Sequence, residues 1–336
     1  MIQFGIIGIG NIGLRHAQHI AQNPDTHLTA VCDMSDANLP QVRSLFPDVA
    51  FYTDYRQMLQ HSGLNIVNVC TPNYLHASMT TDALKAGLHV VCEKPMALSV
   101  WECSQMIETA RQTQKQLFVV KQNRYNPPVA VVKNLLSQGI LNNIIQINVN
   151  CFWNRNADYY RLSGWRGSKI MDGGCLFTQC SHFIDILYYL AGEVQAVSGS
   201  IQNATHAGLC EFEDSGVFLL RTRAGALVSF NFSTSAYQKN MEGSITLLCQ
   251  NGSVKIGGEY LNTIDYQCID RYTIPNLPVG NTANDYGCYK GSMSNHDKVI
   301  QNVVDTLSGR ATVATSGNEG RAVVQIIEDM YASVVQ

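Results

Sequence analysis

The stretch Ile2-Gln-Phe-Gly-Ile-Ile-Gly-Ile-Gly-Asn-Ile-Gly13 decides how the rest of the chain is read. It opens as an apolar run of strand length. Gly8, Gly10 and Gly13 then follow at G-x-G-x-x-G spacing, with Asn11 and Ile12 between them, and lead into a helical pattern from Leu14 to Ala21. Each glycine has a physical task in such a turn. Gly8 permits the tight bend, Gly10 lets a phosphate approach the backbone, and Gly13 lets the helix lie close to the strand. The free N–H groups and positive end of the helix then face an anionic diphosphate. Three glycines at this spacing also fit a strand-to-helix turn that binds nothing, so the surroundings decide.

A second apolar run, His27-Leu-Thr-Ala-Val-Cys-Asp33, ends in an acid 20 positions after Gly13. An acid there accepts hydrogen bonds from the adenosine ribose of a dinucleotide and repels a 2′-phosphate. No arginine follows in Asp33-Met-Ser-Asp36, so NAD is expected rather than NADP. Further strands are expected at 65–70, 88–92 and 117–120, with a short one near 51. They are rich in Val, Ile and Leu without polar alternation, as parallel strands covered on both faces are. The expected class is α/β, with a Rossmann doubly wound parallel sheet over 1–121.

Two strand ends carry chemistry. Val69-Cys-Thr-Pro-Asn73 ends with Thr71, Pro72 and Asn73, and His76 follows. Asn73 is a candidate helix cap, and the stretch is also a candidate for the nicotinamide half of the dinucleotide. Val90-Val-Cys-Glu-Lys-Pro95 sets Glu93 and Lys94 just past a buried strand. A lysine partly withdrawn from water there has a lowered pKa and suits proton transfer, whereas on an open surface the pair would be only an ion pair.

Beyond Gln122 the pattern changes. Asn123-Arg-Tyr-Asn-Pro-Pro128 opens a helix over 129–136, and a strand follows over 144–152. Residues 153–169 are rich in aromatics and cations. A helix bearing Gln179, His182 and Asp185 comes after Asp172-Gly-Gly174. β-like runs near 194–202, 210–222, 226–234, 243–249 and 253–257 then predict a second domain, 122–336. This is an α+β unit with a large, mostly antiparallel open sheet. Residues 258–291 are irregular and polar and receive no assignment. Two helices close the chain.

Bulk properties narrow the function. The 336 residues carry a net charge of −3 and no basic tract, which argues against nucleic-acid and acidic-membrane partners. No apolar run reaches the roughly 18–20 residues of a membrane helix, and a strand that begins at Ile2 leaves no room for a signal peptide. The eleven cysteines are odd in number and scattered, without a C-x-x-C pair. Reduced thiols in a cytoplasmic protein are therefore expected. The remaining histidines, His16 and His296 among them, show no metal-ligand spacing, and no metal is expected.

Taken together, Gly8-x-Gly10-x-x-Gly13, Cys70-Thr-Pro-Asn73, Glu93-Lys94-Pro95 and the glycine-led helix with His182 resemble the Gfo/Idh/MocA oxidoreductases over nearly the whole chain. The resemblance implies NAD- or NADP-dependent oxidation or reduction of a sugar or cyclitol hydroxyl. It also implies an oligomer, often a tetramer, built on the open sheet. Arg124-Tyr-Asn-Pro-Pro128, Trp165-Arg-Gly167 and Asp172-Gly-Gly174-Cys-Leu-Phe-Thr-Gln179-x-x-His182 further resemble one branch, the UDP-N-acetyl-2-amino-2-deoxyglucuronate 3-dehydrogenases of bacterial surface-polysaccharide synthesis. Many family members carry Asp four residues before the active-site histidine. Thr178 stands there, which argues against an inositol-type site.

On this resemblance Lys94 and His182 are the catalytic candidates, sharing the hydroxyl proton. Gly8, Gly10, Asn11, Ile12, Gly13, Asp33, Thr71, Pro72, Asn73, His76, Glu93 and Lys94 are expected at the cofactor. Lys94, Arg124, Tyr125, Tyr159, Arg161, Trp165, Arg166, Gln179 and His182 are expected at the substrate. Arg155 and Lys169 are further candidate anion binders, and Trp153 and Tyr160 further stacking surfaces. The competing readings are a dehydrogenase of an unlinked sugar or cyclitol and a non-catalytic NAD-binding sensor.

Overall fold

A computed structural model describes residues 1–335 and divides the chain into two compact units. The first comprises Met1–Lys121 with His296–Val324, and the second Gln122–Asn295 with Gln325–Gln336.

In the first unit, strands and helices alternate: β1 Ile2–Ile7, α1 Asn11–Gln22, β2 Thr26–Cys32, α2 Leu39–Leu45, β3 Ala50–Tyr52, α3 Tyr55–Met58, β4 Ile66–Val69, α4 His76–Lys85, β5 His89–Cys92, α5 Val100–Thr113 and β6 Leu117–Val119. The six strands form a parallel sheet in the order β3-β2-β1-β4-β5-β6. The order reverses beside β1, so the carboxyl ends of β1 and β4 flank the crevice where such sheets bind ligands. Phe4, Ile6, Val31, Ile66, Val67, Val90 and Val91 are buried, as expected of strands covered on both faces. Ser99 and Glu102 cap α5 reciprocally: Glu102 N donates to Ser99 Oγ at 3.2 Å and Leu98 N to Glu102 Oε2 at 3.2 Å.

The second unit holds α6 Pro127–Ser137, β7 Ile144–Phe152, α7 Ala157–Arg161, α8 Lys169–Asp172, α9 Ser181–Ala191, β8 Val194–Gln202, β9 Ser215–Thr222, β10 Leu227–Ser233, β11 Glu242–Cys249, β12 Gly252–Gly257, β13 Thr263–Ile269, β14 Ala283–Asp285 and β15 Lys290–Met293. Seven strands make one sheet, β13-β12-β11-β7-β10-β9-β8. All neighbours are antiparallel except β7 with β10. Alternation sorts its faces: Phe218, Leu220, Val228, Phe230 and Phe232 are buried, whereas Val217, Leu219 and Leu227 are exposed.

Two expectations need correction, and one unassigned stretch resolves. Residues 122–336 do not stay together, because His296–Val324 returns to the first unit. There Val119 N donates to Thr315 O at 3.1 Å, and a Cβ on Gly320 would meet Val119 and Met96 within 3 Å. The helices concerned are α10 His296–Leu307 and α11 Gly317–Ala332, and α10 lies against α1. The strand expected from 210 begins at Ser215, because Asp214 gathers the backbone N–H groups of Ala204, Thr205 and His206 and folds the preceding residues into a turn. The unassigned stretch 258–291 contains β13, an edge strand whose mixed polarity hides its period.

The glycine turn rests on one close approach. A Cβ on Gly13 would lie 1.9 Å from Gly8 O, whereas one on Gly10 would meet nothing within 4 Å. Gly13→Ala should therefore lower the urea midpoint of unfolding by the equivalent of about 1–3 kcal/mol. Gly10→Ala should cost no more than about 1 kcal/mol, the scale of an altered helix cap. Chemical denaturation followed by circular dichroism checks both.

Candidate active site

The turn after β1 places Gly8 at φ +88, a conformation glycine adopts without strain. A Cβ there would meet Cys70 O at 2.7 Å, which ties this turn to the end of β4. Gly10 caps α1 without a side-chain hydrogen bond, and the first turn carries no acid. The helix N-terminus therefore keeps donors and positive potential for an anion. Asn11 and Ile12 form that first turn.

Asp33, just past β2, accepts from Ile9 N at 2.9 Å through Oδ2 and from Ser35 N at 3.2 Å through Oδ1. Both bonds fix the carboxylate beside the glycine turn, and its remaining lone pairs can accept ribose hydroxyls. The open space at Gly10, the uncapped helix end and this fixed carboxylate are the donor and acceptor set a dinucleotide requires.

At the end of β4, Thr71 and Pro72 lead into a short 3₁₀ turn at Asn73–Leu75 with Asn73 buried. His76 is buried, and both its ring nitrogens face carbonyls: Nδ1 lies 2.7 Å from Pro95 O and Nε2 2.8 Å from Thr71 O. Burial holds its pKa below the ordinary value against the pull of the two carbonyls. The imidazole therefore braces the Thr71 segment against Pro95 through contacts with backbone.

Glu93 is buried at the end of β5. Its Oε1 accepts from His16 Nε2 at 3.0 Å, and its Oε2 from Lys94 N at 3.0 Å. His296 Nε2 lies 3.5 Å from Oε1. The three donor atoms of His16, Glu93 and His296 are within 4.8 Å of one another, a grouping that linear spacing conceals because His16 and His296 are far apart in the chain. Burial alone would raise the Glu93 pKa, but His16 and His296 outweigh it and hold the carboxyl well below its usual range.

In the second unit, His182 stands on α9, buried. Its Nε2 is 3.3 Å from Ser292 Oγ, which accepts from Gln122 Nε2 at 2.9 Å. Since Ser292 accepts from Gln122, its hydroxyl proton can point to His182 Nε2 and favour the tautomer protonated on Nδ1. Thr178, one turn before, donates to Asp172, and Asp172 Oδ2 accepts from Gly167 N at 2.9 Å. The threonine thus fastens the glycine-led turn instead of offering a carboxylate.

Residues 153–169 form a packed aromatic and cationic cluster. Arg155 is fully buried. Its Nε donates to Gln179 Oε1 at 2.8 Å, its Nη1 to Asn154 O at 2.6 Å, and its Cζ lies 5.0–5.3 Å from the ring centres of Trp153, Tyr159 and Tyr289. Arg166 Nη2 donates to Tyr289 Oη at 2.9 Å, and its Cζ lies 4.4 Å from the Tyr159 ring centre and 5.5 Å from that of Trp165. Burial disfavours its charge, yet Tyr159, Tyr289 and Asp172 raise its pKa. Amides, carbonyls and aromatic faces meet these two cations, and among the described residues neither has a carboxylate at ion-pair distance. Gln179 Nε2 also reaches Tyr159 Oη. Tyr289, Ser292 and Gln122 escaped the sequence reading, the first because it lies in the unassigned stretch.

Two further expected substrate residues have different surroundings. Arg124 is buried and bound to Asp185 through Nε–Oδ2 at 2.9 Å and Nη2–Oδ1 at 2.7 Å, with Tyr189 beneath its guanidinium at 4.6 Å. Its fork is taken up in joining the 3₁₀ turn 122–125 to α9, and Tyr125 beside it is half-buried with a pKa raised by burial. Arg161 is exposed at the end of α7.

Residues 2–121 match the family model described as "Oxidoreductase family, NAD-binding Rossmann fold", and residues 129–255 match the GFO/IDH/MocA C-terminal domain. The chain is similar to the WlbA dehydrogenase of Bordetella pertussis, whose crystal structure is a complex with NADH and UDP-GlcNAcA. The identity is 32%, the TM-score 0.89, and the match covers 99% of this chain and 95% of that one. It is also 27% identical to the uncharacterized oxidoreductase YrbE of Bacillus subtilis, over 69% of this chain and 67% of that protein. A third likeness, 31% identity to an alpha-N-acetylgalactosaminidase of Shewanella oneidensis, spans 49% of this chain and only 39% of that protein. With an NAD-binding first unit and a relative that aligns along nearly its full length, the chain belongs to the Gfo/Idh/MocA oxidoreductase family.

Proposed function

We propose that the protein is an NAD-dependent dehydrogenase of a nucleotide-sugar uronate. The preferred substrate is UDP-N-acetyl-2-amino-2-deoxyglucuronate oxidised at C3, in the cytoplasmic synthesis of a bacterial surface polysaccharide such as lipopolysaccharide O-antigen. The observation that carries an anionic substrate is the pair Arg155, fully buried, and Arg166, half-buried, whose guanidiniums are held by aromatic faces with no carboxylate at ion-pair distance among the described residues. Burying a charge without a counter-charge is costly, and a substrate carboxylate or diphosphate would offset that cost. Similarity to a dehydrogenase crystallised with UDP-GlcNAcA supports the same substrate class.

Oxidation of a secondary alcohol removes a proton and a hydride from one carbon centre. NAD, when bound, supplies the hydride acceptor. Lys94 takes the hydroxyl proton, and His182, oriented through Ser292 and Gln122, shares it. Gly8, Gly10, Gly13 and the first turn of α1 hold the diphosphate of the dinucleotide, and Asp33 holds its ribose. Arg166 and Trp165 meet the anionic and uracil parts of the substrate, with Arg161 at the exposed edge. Gln179 and Tyr159 set the height of the sugar. The exposed apolar row Val217, Leu219 and Leu227 on the open sheet favours a homo-oligomer, a tetramer in the first instance.

Absorbance of NADH should rise with UDP-N-acetylglucosaminuronate and NAD, and not with myo-inositol or free hexoses. Saturable turnover confined to the unlinked sugars would overturn the nucleotide-sugar reading. Lys94→Met should lower kcat about 10²–10⁴-fold while leaving NAD binding by fluorescence intact. Unchanged activity in that variant would favour a sensor. Arg166→Gln should raise KM for the uronate about tenfold, the scale of one lost charge-assisted hydrogen bond, with a smaller change in kcat.

A further inference from the structure

Beneath Lys94 lies a chain of polar groups that the reaction does not use directly. Asn68 Nδ2 donates to His16 Nδ1 at 2.8 Å. That bond makes Nδ1 the acceptor and leaves the ring proton on Nε2, which points to Glu93 Oε1 at 3.0 Å. Glu93 Oε2 in turn receives Lys94 N. His16 and Asn68 are both fully buried, which shields these bonds from water. We propose that His16 is a positioning residue: through its hydrogen bond to Glu93 it fixes the backbone of Lys94 and keeps a negative charge at the foot of that lysine's side chain. The proposal rests on Lys94 being the base of the reaction.

The imidazoles of His16 and His296 hold Glu93 in its charged form. His296 reaches it from α10, but burial pushes that imidazole down to about 4, so at neutral pH it is uncharged. From α4, His76 is likewise pushed down by burial. The thiols of Cys70, after β4, and Cys92, on β5 itself, are pushed up by burial and stay protonated. Around α1, burial lowers the His19 pKa, and the nearby Arg15 and Asp297 bear opposite charges. A buried carboxylate at the foot of a lysine side chain favours the charged form of that lysine. Removing the carboxylate's charge, or the donor that maintains it, should therefore lower the lysine pKa.

The experiment measures that pKa without turnover. Wild-type protein is labelled with limiting acetic anhydride across a pH series, and the fraction of acetylated Lys94 is read by peptide mass spectrometry. Glu93→Gln should move the midpoint down by about one unit. His16→Phe, which removes the imidazole donor to Glu93, should move it the same way. His16→Gln, which retains an N–H donor, should restore it, and the double variant His16→Phe/Glu93→Gln should shift no further than Glu93→Gln alone. If His16→Phe does not fold, the near-isosteric Glu93→Gln still decides. An unmoved midpoint in Glu93→Gln overturns the proposal, as does a shift in wild-type protein on adding zinc chloride, since that would make His16, Glu93 and His296 metal ligands. Absence of turnover on the uronate would count against the proposed substrate and leave the labelling result standing.

Discussion

The first unit depends on how closely α1 approaches the turn after β1. Any side chain at Gly13 would occupy the position of Gly8 O, so the helix can lie there only because that residue has none. The approach aims the α1 N-terminus along the crevice at the switch in strand order. It also puts Ile9 N within reach of Asp33, so one contact sets both the phosphate end and the ribose end of a dinucleotide site. The same helix carries His16, one turn further on, into contact with Glu93. A demand made by backbone packing at one residue is thereby transmitted to the lysine that follows Glu93.

The second unit solves a different problem, which is how to keep cations out of water without acids. Arg124 takes the ordinary course and pairs with Asp185 in a two-point ion pair. Arg155 and Arg166 are stacked among Trp153, Tyr159, Trp165 and Tyr289. Aromatic faces lower the cost of burying a guanidinium but do not neutralise it, so both side chains keep their positive charge inside the cluster. His182 Nε2 meets the Ser292 hydroxyl, which the Gln122 amide holds in turn.

Much of this was legible before any coordinates. Continuous Val and Ile runs bounded by Gly, Pro and Asn report parallel strands because burial on both faces removes polar residues from them. That is why β1, β4 and β5 stood out, and why Glu93 and Lys94 could be placed at a strand end. The capping pairs Ser99–Glu102 and Ser316–Glu319 could be read for the same kind of local reason. Relations that depend on distant chain closure could not. Nothing in the local pattern says that Arg124 will meet Asp185, that His296 will come to Glu93, or that Ser292 will face His182. Strand β13 was hidden because an edge strand exposed on both sides keeps no hydrophobic alternation.

The return of His296–Val324 to the first unit bears on how the protein is made. The parallel sheet leaves the ribosome before the second unit, yet its packing is finished by residues made only after the whole seven-stranded sheet. Val119 waits for Thr315, and the surface beside Met96 waits for Gly320. A nascent chain stopped after Lys121 holds all six strands but lacks the helices that cover part of them. The first unit is thus exposed to misassociation until those residues are made, and deleting His296–Val324 would injure a nucleotide-holding unit whose sheet lies far away in the sequence.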